Sequence, residues 1–158
     1  ALTSATLPGM RLFHEGQFEG RKVKLPVFLG RRPNEPSDQN LREFYARILE
    51  VINQPVFRAG QWKLCECTGW PDNASFQNLL AWSWLYGDDR YLIAVNLSGS
   101  SLQAVVRVPW ADIGGISWSL VDRLSGATYQ RDGDQILSGG LYVELGPWSC
   151  HLFQWTRA

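Results

Sequence analysis

The chain has 158 residues, 45% of them apolar, and its 15 basic and 15 acidic side chains cancel to a formal net charge of zero. The length suffices for a sizeable core, and the balanced charge argues against nucleic-acid partners. No apolar run approaches the roughly 20 residues of a membrane span. No signal peptide follows Ala1, so we expect a cytoplasmic protein without membrane partners, unless a longer parent carries a signal peptide upstream.

The first predicted elements are a short buried strand at 10–13, just after Pro8-Gly9, and a long loop. The loop runs to about Pro36, because its glycines and prolines interrupt any regular helix. Five basic side chains cluster in it. They favour a solvated loop, with anion binding as the alternative. The cluster comprises Arg21, Lys22, Lys24, Arg31 and Arg32.

An amphipathic helix is predicted next, with Ser37 as its N-cap and Asp38 in its first turn. Asn53-Gln54-Pro55 ends it. Six apolar residues recur at helical spacing and form one stripe, which we expect to be covered by the following domain or by a second copy of the chain through self-association. The stripe comprises Leu41, Phe44, Tyr45, Ile48, Leu49 and Ile52.

After Pro55 the apolar period changes to two, and turn signals such as Gly87-Asp88-Asp89 and Ser98-Gly99-Ser100 recur. This pattern predicts a mainly β domain, an antiparallel Greek-key-like β-sandwich, at 56–158. Residues 1–55 hold only a strand, a loop and a helix, so they look like the end of a larger α/β body. The main predicted strands lie at 79–86, 91–97, 102–108, 116–121, 141–145 and 150–155, and a weaker pair flanks 132–134.

Two stretches resemble the α-amylase family of glycoside hydrolases. Leu7–Gly20 resembles the last strand of its (β/α)8 barrel with the following loop, although Phe18 stands where the family usually has glutamate and Glu19 follows one residue later. Leu141–Phe153 is similar to the last two strands of its C-terminal sandwich. The resemblance implies that 1–55 is the end of the catalytic barrel and that 56–158 is the C-terminal domain that braces it.

The same resemblance implies a parent enzyme that hydrolyses or transfers α-glucans with retention of configuration. That chemistry needs two carboxyl groups about 5 Å apart, placed at the ends of middle barrel strands. Those motifs lie upstream of this chain, so we expect the chain alone to be inactive and to contain no catalytic residue. The expected partners are the upstream barrel and an α-glucan or oligosaccharide, and no cofactor is implied.

Two groups of residues are candidates for sugar contact. Polar side chains follow the barrel-type strand at its functional end, where they either hydrogen-bond sugar hydroxyls or hold the loop together. Four tryptophans lie near turns, where exposed rings would stack on pyranoses and buried rings would pack in a core. The rim candidates are His14, Glu15, Gln17 and Glu19, and the stacking candidates are Trp62, Trp70, Trp110 and Trp148.

Three cysteines, an odd number, favour reduced thiols over a disulfide scaffold. Cys65-x-Cys67 with Cys150-His151 would have the ligand types for a tetrahedral metal site, but a C-x-C spacing and the frequent burial of free cysteine favour core packing. No metal is therefore predicted. Two further classes of function stay open: a free-standing carbohydrate-binding module, and an interaction domain without sugar chemistry.

Overall fold

In the computed structural model, residues 1–23, 28, 31 and 33–158 are described, and they form two antiparallel sheets flanked by helices. The helices are α1 (Leu2–Thr6), α2 (Gln39–Ile52), α3 (Val56–Ala59) and α4 (Gly133–Gly139), and 3-10 turns lie at Ser75–Asn78 and Ala111–Ile113. The strands are β1 (Gln61–Leu64), β2 (Glu66–Thr68), β3 (Leu79–Tyr86), β4 (Asp89–Asn96), β5 (Leu102–Arg107), β6 (Ser117–Asp122), β7 (Thr128–Asp132), β8 (Leu141–Leu145) and β9 (Cys150–Arg157).

The six-stranded sheet has the order β1-β3-β4-β9-β6-β7, and the three-stranded sheet has the order β2-β5-β8. Every described strand pair is antiparallel. The first core lies between the two sheets, where Leu92, Trp118 and Trp155 of the larger sheet meet Leu102 and Val143 of the smaller one. The predicted antiparallel sandwich is therefore confirmed.

A second core covers the outer face of the six-stranded sheet. Trp82, Trp84 and Tyr91 point to this face, and Ile48 of α2 and Phe57 of α3 pack against them. Alternate residues of β3 and β4 thus face opposite cores, which explains why most side chains in these strands are buried. Trp82 and Trp84 therefore pack against helices and not against the second sheet.

The apolar stripe of α2 is covered by the sheet of the same chain. Tyr45, Ile48 and Ile52 of the predicted stripe are buried, together with Val51. The N-cap is Asp38 and not Ser37, because the Asp38 carboxylate accepts a hydrogen bond of 3.0 Å from the amide of Leu41. Self-association through this face stays a prediction.

The predicted buried strand at 10–13 is wrong. No described residue pairs with it, and Met10 and Leu12 are 98% and 87% exposed. An extended segment without a neighbouring strand has no sheet into which to bury its side chains. The segment before it forms the short helix α1 instead.

Two local predictions in the sandwich also need correction. The strand expected after Asp134 is helix α4, because the Asp132 carboxylate caps the amide of Gln135 at 2.9 Å and starts a helical turn. The short strands β1 and β2 were not predicted.

None of the described helices combines the length and apolarity that crossing a bilayer requires.

Candidate functional site

The loop that carries the rim candidates is fastened to α2 through Gln17. The Gln17 side-chain amide donates a hydrogen bond of 2.9 Å to the hydroxyl of Tyr45, and its carbonyl oxygen accepts from the amide of His14 at 3.3 Å. The ring of Phe18 lies 4.9 Å from that of Tyr45. Gly16 takes a positive φ of 82°, which lets the loop turn back on itself. As a result, the carbonyl of Gly16 accepts a hydrogen bond of 2.9 Å from the amide of Arg21.

The other rim candidates take different positions in this loop. The carbonyl of Glu19 accepts a hydrogen bond of 3.0 Å from the amide of Asp38, the residue that caps α2. His14 is exposed, and its Nδ1 lies 3.1 Å from the carbonyl of Glu15, which is exposed as well. Gln17 and Glu19 therefore contribute to the loop network, whereas His14 and Glu15 project at the surface. Their contact with sugar stays a prediction.

The basic cluster is only partly described. The Arg21 side chain packs against Gly16. The amides of Lys22 and Val23 both donate to the Glu35 carboxylate, at 3.0 and 3.2 Å. Lys24 and Arg32 lie outside the described residues.

The four stacking candidates separate by exposure. Trp148 is 70% exposed and Trp70 is 43% exposed, whereas Trp110 is only 4% exposed. Trp110 packs edge-on against Trp155 in the first core, with ring centroids 4.9 Å apart. A buried indole has no free face, so Trp110 cannot serve as a platform. Trp62 is half-buried against the second core.

Trp148 has an unusual backbone. Its φ of 54° lies in the left-handed region, which costs a non-glycine residue roughly 1 kcal/mol or more. Its amide donates to the carbonyl of Ser98 at 3.0 Å, which fixes the turn between β8 and β9. The indole of the same residue is exposed to solvent, and backbone strain of this kind clusters at functional positions. The register puts Trp148 and Trp70 at the same end of the three-stranded sheet, where β5 begins.

The three cysteines are reduced and partly or fully buried. Burial raises the pKa of Cys65 to about 12, and it raises the pKa values of Cys67 and Cys150 to about 11. Cys65 and Cys67 belong to the first core, whereas Cys150 packs against the second. Within the described part of the chain, no three His, Cys, Asp or Glu side chains cluster as metal ligands.

A buried carboxylate and a histidine form a pair that the sequence analysis did not single out. Asp122 is 1% exposed, and its Oδ2 lies 3.0 Å from the Nδ1 of His151. The same carboxylate accepts hydrogen bonds from the hydroxyl of Ser125 at 2.7 Å and from the amides of Leu124 and Leu152 at 3.1 and 3.2 Å. Burial alone would raise the pKa of Asp122. The hydrogen bonds outweigh that effect, led by the one from His151, and the pKa is lowered.

Comparison with known proteins identifies the fold. No protein-family model and no curated protein matches the sequence. A noncanonic maltogenic α-amylase from Thermotoga neapolitana aligns with a TM-score of 0.73 at 13% identity, over 98% of this chain and 35% of its own. An Anoxybacillus α-amylase aligns with a TM-score of 0.71 at 13% identity, over 99% of this chain and 31% of its own. A Nostoc punctiforme debranching enzyme aligns with a TM-score of 0.61 at 20% identity, over 96% of this chain and 27% of its own.

This chain therefore spans about a third of the length of the two α-amylase structures. At such low identities the likeness establishes the fold alone. That fold is the one of the C-terminal β-domain of α-amylases. Because the alignments cover 98% and 99% of the chain, the residues before the sandwich match as well.

Proposed function

We propose that this chain is the C-terminal part of an α-amylase-like retaining glycoside hydrolase or transglycosylase that acts on α-glucans. The observation that carries the proposal is the extent of the likeness, which covers 98% of the chain in the Thermotoga structure. A free-standing sugar-binding sandwich would need only residues 56–158. The match also includes the helix and loop that precede the sandwich, and these elements suit the end of a barrel.

The role we propose for the sandwich is to brace the barrel. Helix α2 lies between the six-stranded sheet and solvent, with Ile48 and Ile52 buried against the sheet. Phe44 and Leu49 of the same helix are only half-buried, and Met10 and Leu12 are almost fully exposed. Large apolar side chains left at a surface mark a contact with another body. A barrel packed against this segment would cover them.

The proposed parent works by double displacement, with a carboxylate nucleophile and a carboxylic acid supplied by the barrel. Residues 14–19 follow the segment at 10–13 and would line the rim of the substrate cleft. Gln17 and Tyr45 hold this loop on α2, so the sandwich would set the position of the rim through the helix. His14 and Glu15 are exposed on this loop, and we place them towards the sugar hydroxyls.

The deciding experiment compares this chain with the proposed parent, a longer polypeptide in which the barrel precedes it. Both proteins are incubated with amylose, and the reducing ends are counted. A β-1,4-glucan is the control substrate. We expect product from amylose with the longer protein only, and an α-anomer as the first product detected by NMR. A longer protein without any activity on α-glucans would overturn the proposal, and activity in this chain alone would contradict the assignment of the missing carboxylates.

A carbohydrate-binding module is the second candidate, and the exposure of Trp70 and Trp148 favours it. Tryptophan fluorescence of the chain is titrated with maltoheptaose and with a β-linked glucan. Saturable quenching by the α-glucan alone, lost in Trp148→Ala and kept in Trp62→Phe, would support a substrate-tethering sandwich. An unchanged spectrum at millimolar sugar would leave bracing as the role of the domain.

A further inference from the structure

A pocket of about 530 Å³ lies where the beginning of the chain meets the β1 edge of the six-stranded sheet. Its apolar walls are the rings of Phe57, Trp62 and Trp84. Its charged walls are the side chains of Arg11 and Arg58. None of the described residues that line it is acidic. We name it the arginine pocket.

Arg11 is held at this pocket by the main chain. Its Nη2 donates a hydrogen bond of 2.7 Å to the carbonyl of Phe57. The side chain is half-buried, and its Nε is buried without an acceptor among the described residues. Burial lowers the pKa of Arg11, and the charge of Arg58 lowers this pKa further. The fold therefore keeps a cation in surroundings that disfavour positive charge.

Arg58 brings a second positive charge to the same pocket. It is exposed, and its Nη2 donates a hydrogen bond of 3.1 Å to the side-chain oxygen of Asn53. Across the described part of the chain, no carboxylate forms an ion pair with Arg11 or Arg58. The Nη1 of each arginine also has no acceptor among those residues. Two cations that share a pocket repel each other, and an anion bound between them would offset that repulsion.

The indole of Trp62 adds a neutral donor to the pocket. Its Nε1 is buried and has no acceptor among the residues that the structure describes. Buried polar groups nearly always have a partner, so an unpaired one marks a place where an acceptor is missing. The other indole of the pocket is satisfied, because Trp84 donates to the carbonyl of Thr6 at 2.7 Å.

The unpaired groups of the pocket define the chemistry of its ligand, because all of them are donors. A guanidinium presents its N–H groups in a planar fork that matches two oxygens of a carboxylate or a phosphate. The two arginines would repel a metal cation, and a purely apolar ligand would leave the donors unpaired. A sugar hydroxyl needs acceptors as well as donors.

We propose that the arginine pocket is an oxyanion site, which takes a phosphate or carboxylate group between Arg11 and Arg58. Two sources share this chemistry: a small molecule in solution, and an acidic side chain of the barrel in the proposed parent. The site itself rests on residues of this chain, and only the second source rests on the proposed function. Trp62 borders the bound group, so its indole proton reports on binding.

The test is a titration of the full chain, labelled with 15N, with inorganic phosphate at neutral pH and constant ionic strength. The readout is the NMR signal of the Trp62 indole, which is assigned by its loss in Trp62→Phe. We expect a saturable shift with a dissociation constant on the order of 1 mM. Sodium chloride is the control for general screening by salt. A Trp62 signal that stays in place at phosphate concentrations of about 50 mM would overturn the proposal.

Variants of Arg58 separate binding from folding, because this side chain is exposed. Arg58→Gln removes one of two charged donors and should weaken phosphate binding about tenfold, with an unchanged urea midpoint. Arg58→Lys keeps the charge but loses the planar fork, so its affinity should lie between those of the wild type and Arg58→Gln.

The matched control is Arg107→Gln, because Arg107 is an exposed arginine on β5, in the other sheet. It makes the same change in net charge and should leave the affinity within about twofold of the wild type. Equal affinities for Arg58→Gln and Arg107→Gln would overturn the proposal.

The same titration of the proposed parent identifies the source of the oxyanion. A parent that binds phosphate as this chain does assigns the pocket to a molecule in solution. A parent that does not bind phosphate, although this chain does, assigns the pocket to a carboxylate of the barrel. A parent without activity on α-glucans removes the proposed function and leaves the phosphate titration of this chain unaffected.

Discussion

The indole Nε1–H of Trp84 donates a hydrogen bond of 2.7 Å to the main-chain carbonyl of Thr6, 78 residues earlier in the chain. Both residues are buried, at 3% and 0% exposed. This bond ties the end of α1 to the outer face of the six-stranded sheet. The beginning of the chain is thus part of the second core and is held there by a polar contact as well as by packing.

Replacing Trp84 with phenylalanine should therefore destabilise the protein by about 2 kcal/mol. The variant loses a hydrogen bond, leaves the Thr6 carbonyl buried without a partner, and opens space against Phe57. Urea unfolding followed by circular dichroism measures the change. Trp70→Phe makes the same substitution at an exposed position and should cost less than about 0.5 kcal/mol. Equal costs for the two variants would show that the Thr6 contact contributes nothing.

The ion pair between Arg90 and Asp112 should respond unequally to the loss of its two members. Arg90 is 4% exposed and lies over the rings of Trp118 and Trp110, at 5.0 and 5.9 Å, whereas Asp112 is 67% exposed. Asp112→Asn leaves a buried cation without its partner and should cost about 2–3 kcal/mol. Arg90→Met leaves only an exposed carboxylate and fills the same space, so it should cost less. The reverse order in urea unfolding would contradict this account.

Acid should weaken the protein through Asp122. The folded state lowers the pKa of this carboxyl, so its contribution to stability is complete above the unfolded value of about 3.9 and is lost as the pH falls below it. Asp122→Asn should cost about 3 kcal/mol at pH 7, because four donors lose a charged acceptor. The gap in unfolding free energy between the two proteins should narrow at pH 3. Asp88→Asn removes an exposed carboxylate and controls for the change in net charge, and a gap that stays constant with pH would contradict the prediction.

Alkali should weaken the protein through Cys65. Its pKa is raised to about 12 from 9.0, so above pH 9 the unfolded chain releases a thiol proton that the folded chain keeps. The contribution of this thiol to the free energy of unfolding is fully present below pH 9, and it is about 1.4 kcal/mol smaller at pH 10. Cys65→Ala removes this dependence, so the difference between the variant and the wild type should shrink as the pH rises from 8 to 10.5. Parallel curves would refute the assignment.

Periodicity predicts the long elements because their packing is regular. The helical stripe identifies α2, and alternation identifies β3, β4, β5, β8 and β9 within a few residues. Strands β1 and β2 escape detection because they are short edge strands, and only one or two of their side chains turn inward. The strand expected at 10–13 fails for a different reason, since a strand requires a neighbour that local sequence cannot supply.

The candidate sites, like the strands and helices, include features that the sequence alone cannot predict. The sequence does not show that Trp148 is exposed and that Trp110 is buried, because both tryptophans lie beside turn residues. The pair formed by Asp122 and His151 is invisible in sequence because 29 residues separate the two. They meet only because β6 and β9 are neighbours and their register sets Asp122 opposite Phe153, next to the histidine. The sequence shows only that an aspartate directly follows the predicted strand at 116–121.

The position of β9 in the sheet governs the order in which the sandwich can assemble. It pairs with β4 on one side and with β6 on the other, so it joins β1, β3 and β4 to β6 and β7. During synthesis, β4 and β6 must therefore wait with open edges until residues 150–157 have left the ribosome. The same geometry makes the exposed turn at Pro147-Trp148 a vulnerable link. A protease that cuts there would leave β9 held by hydrogen bonds and packing alone, and its release would divide the larger sheet in two.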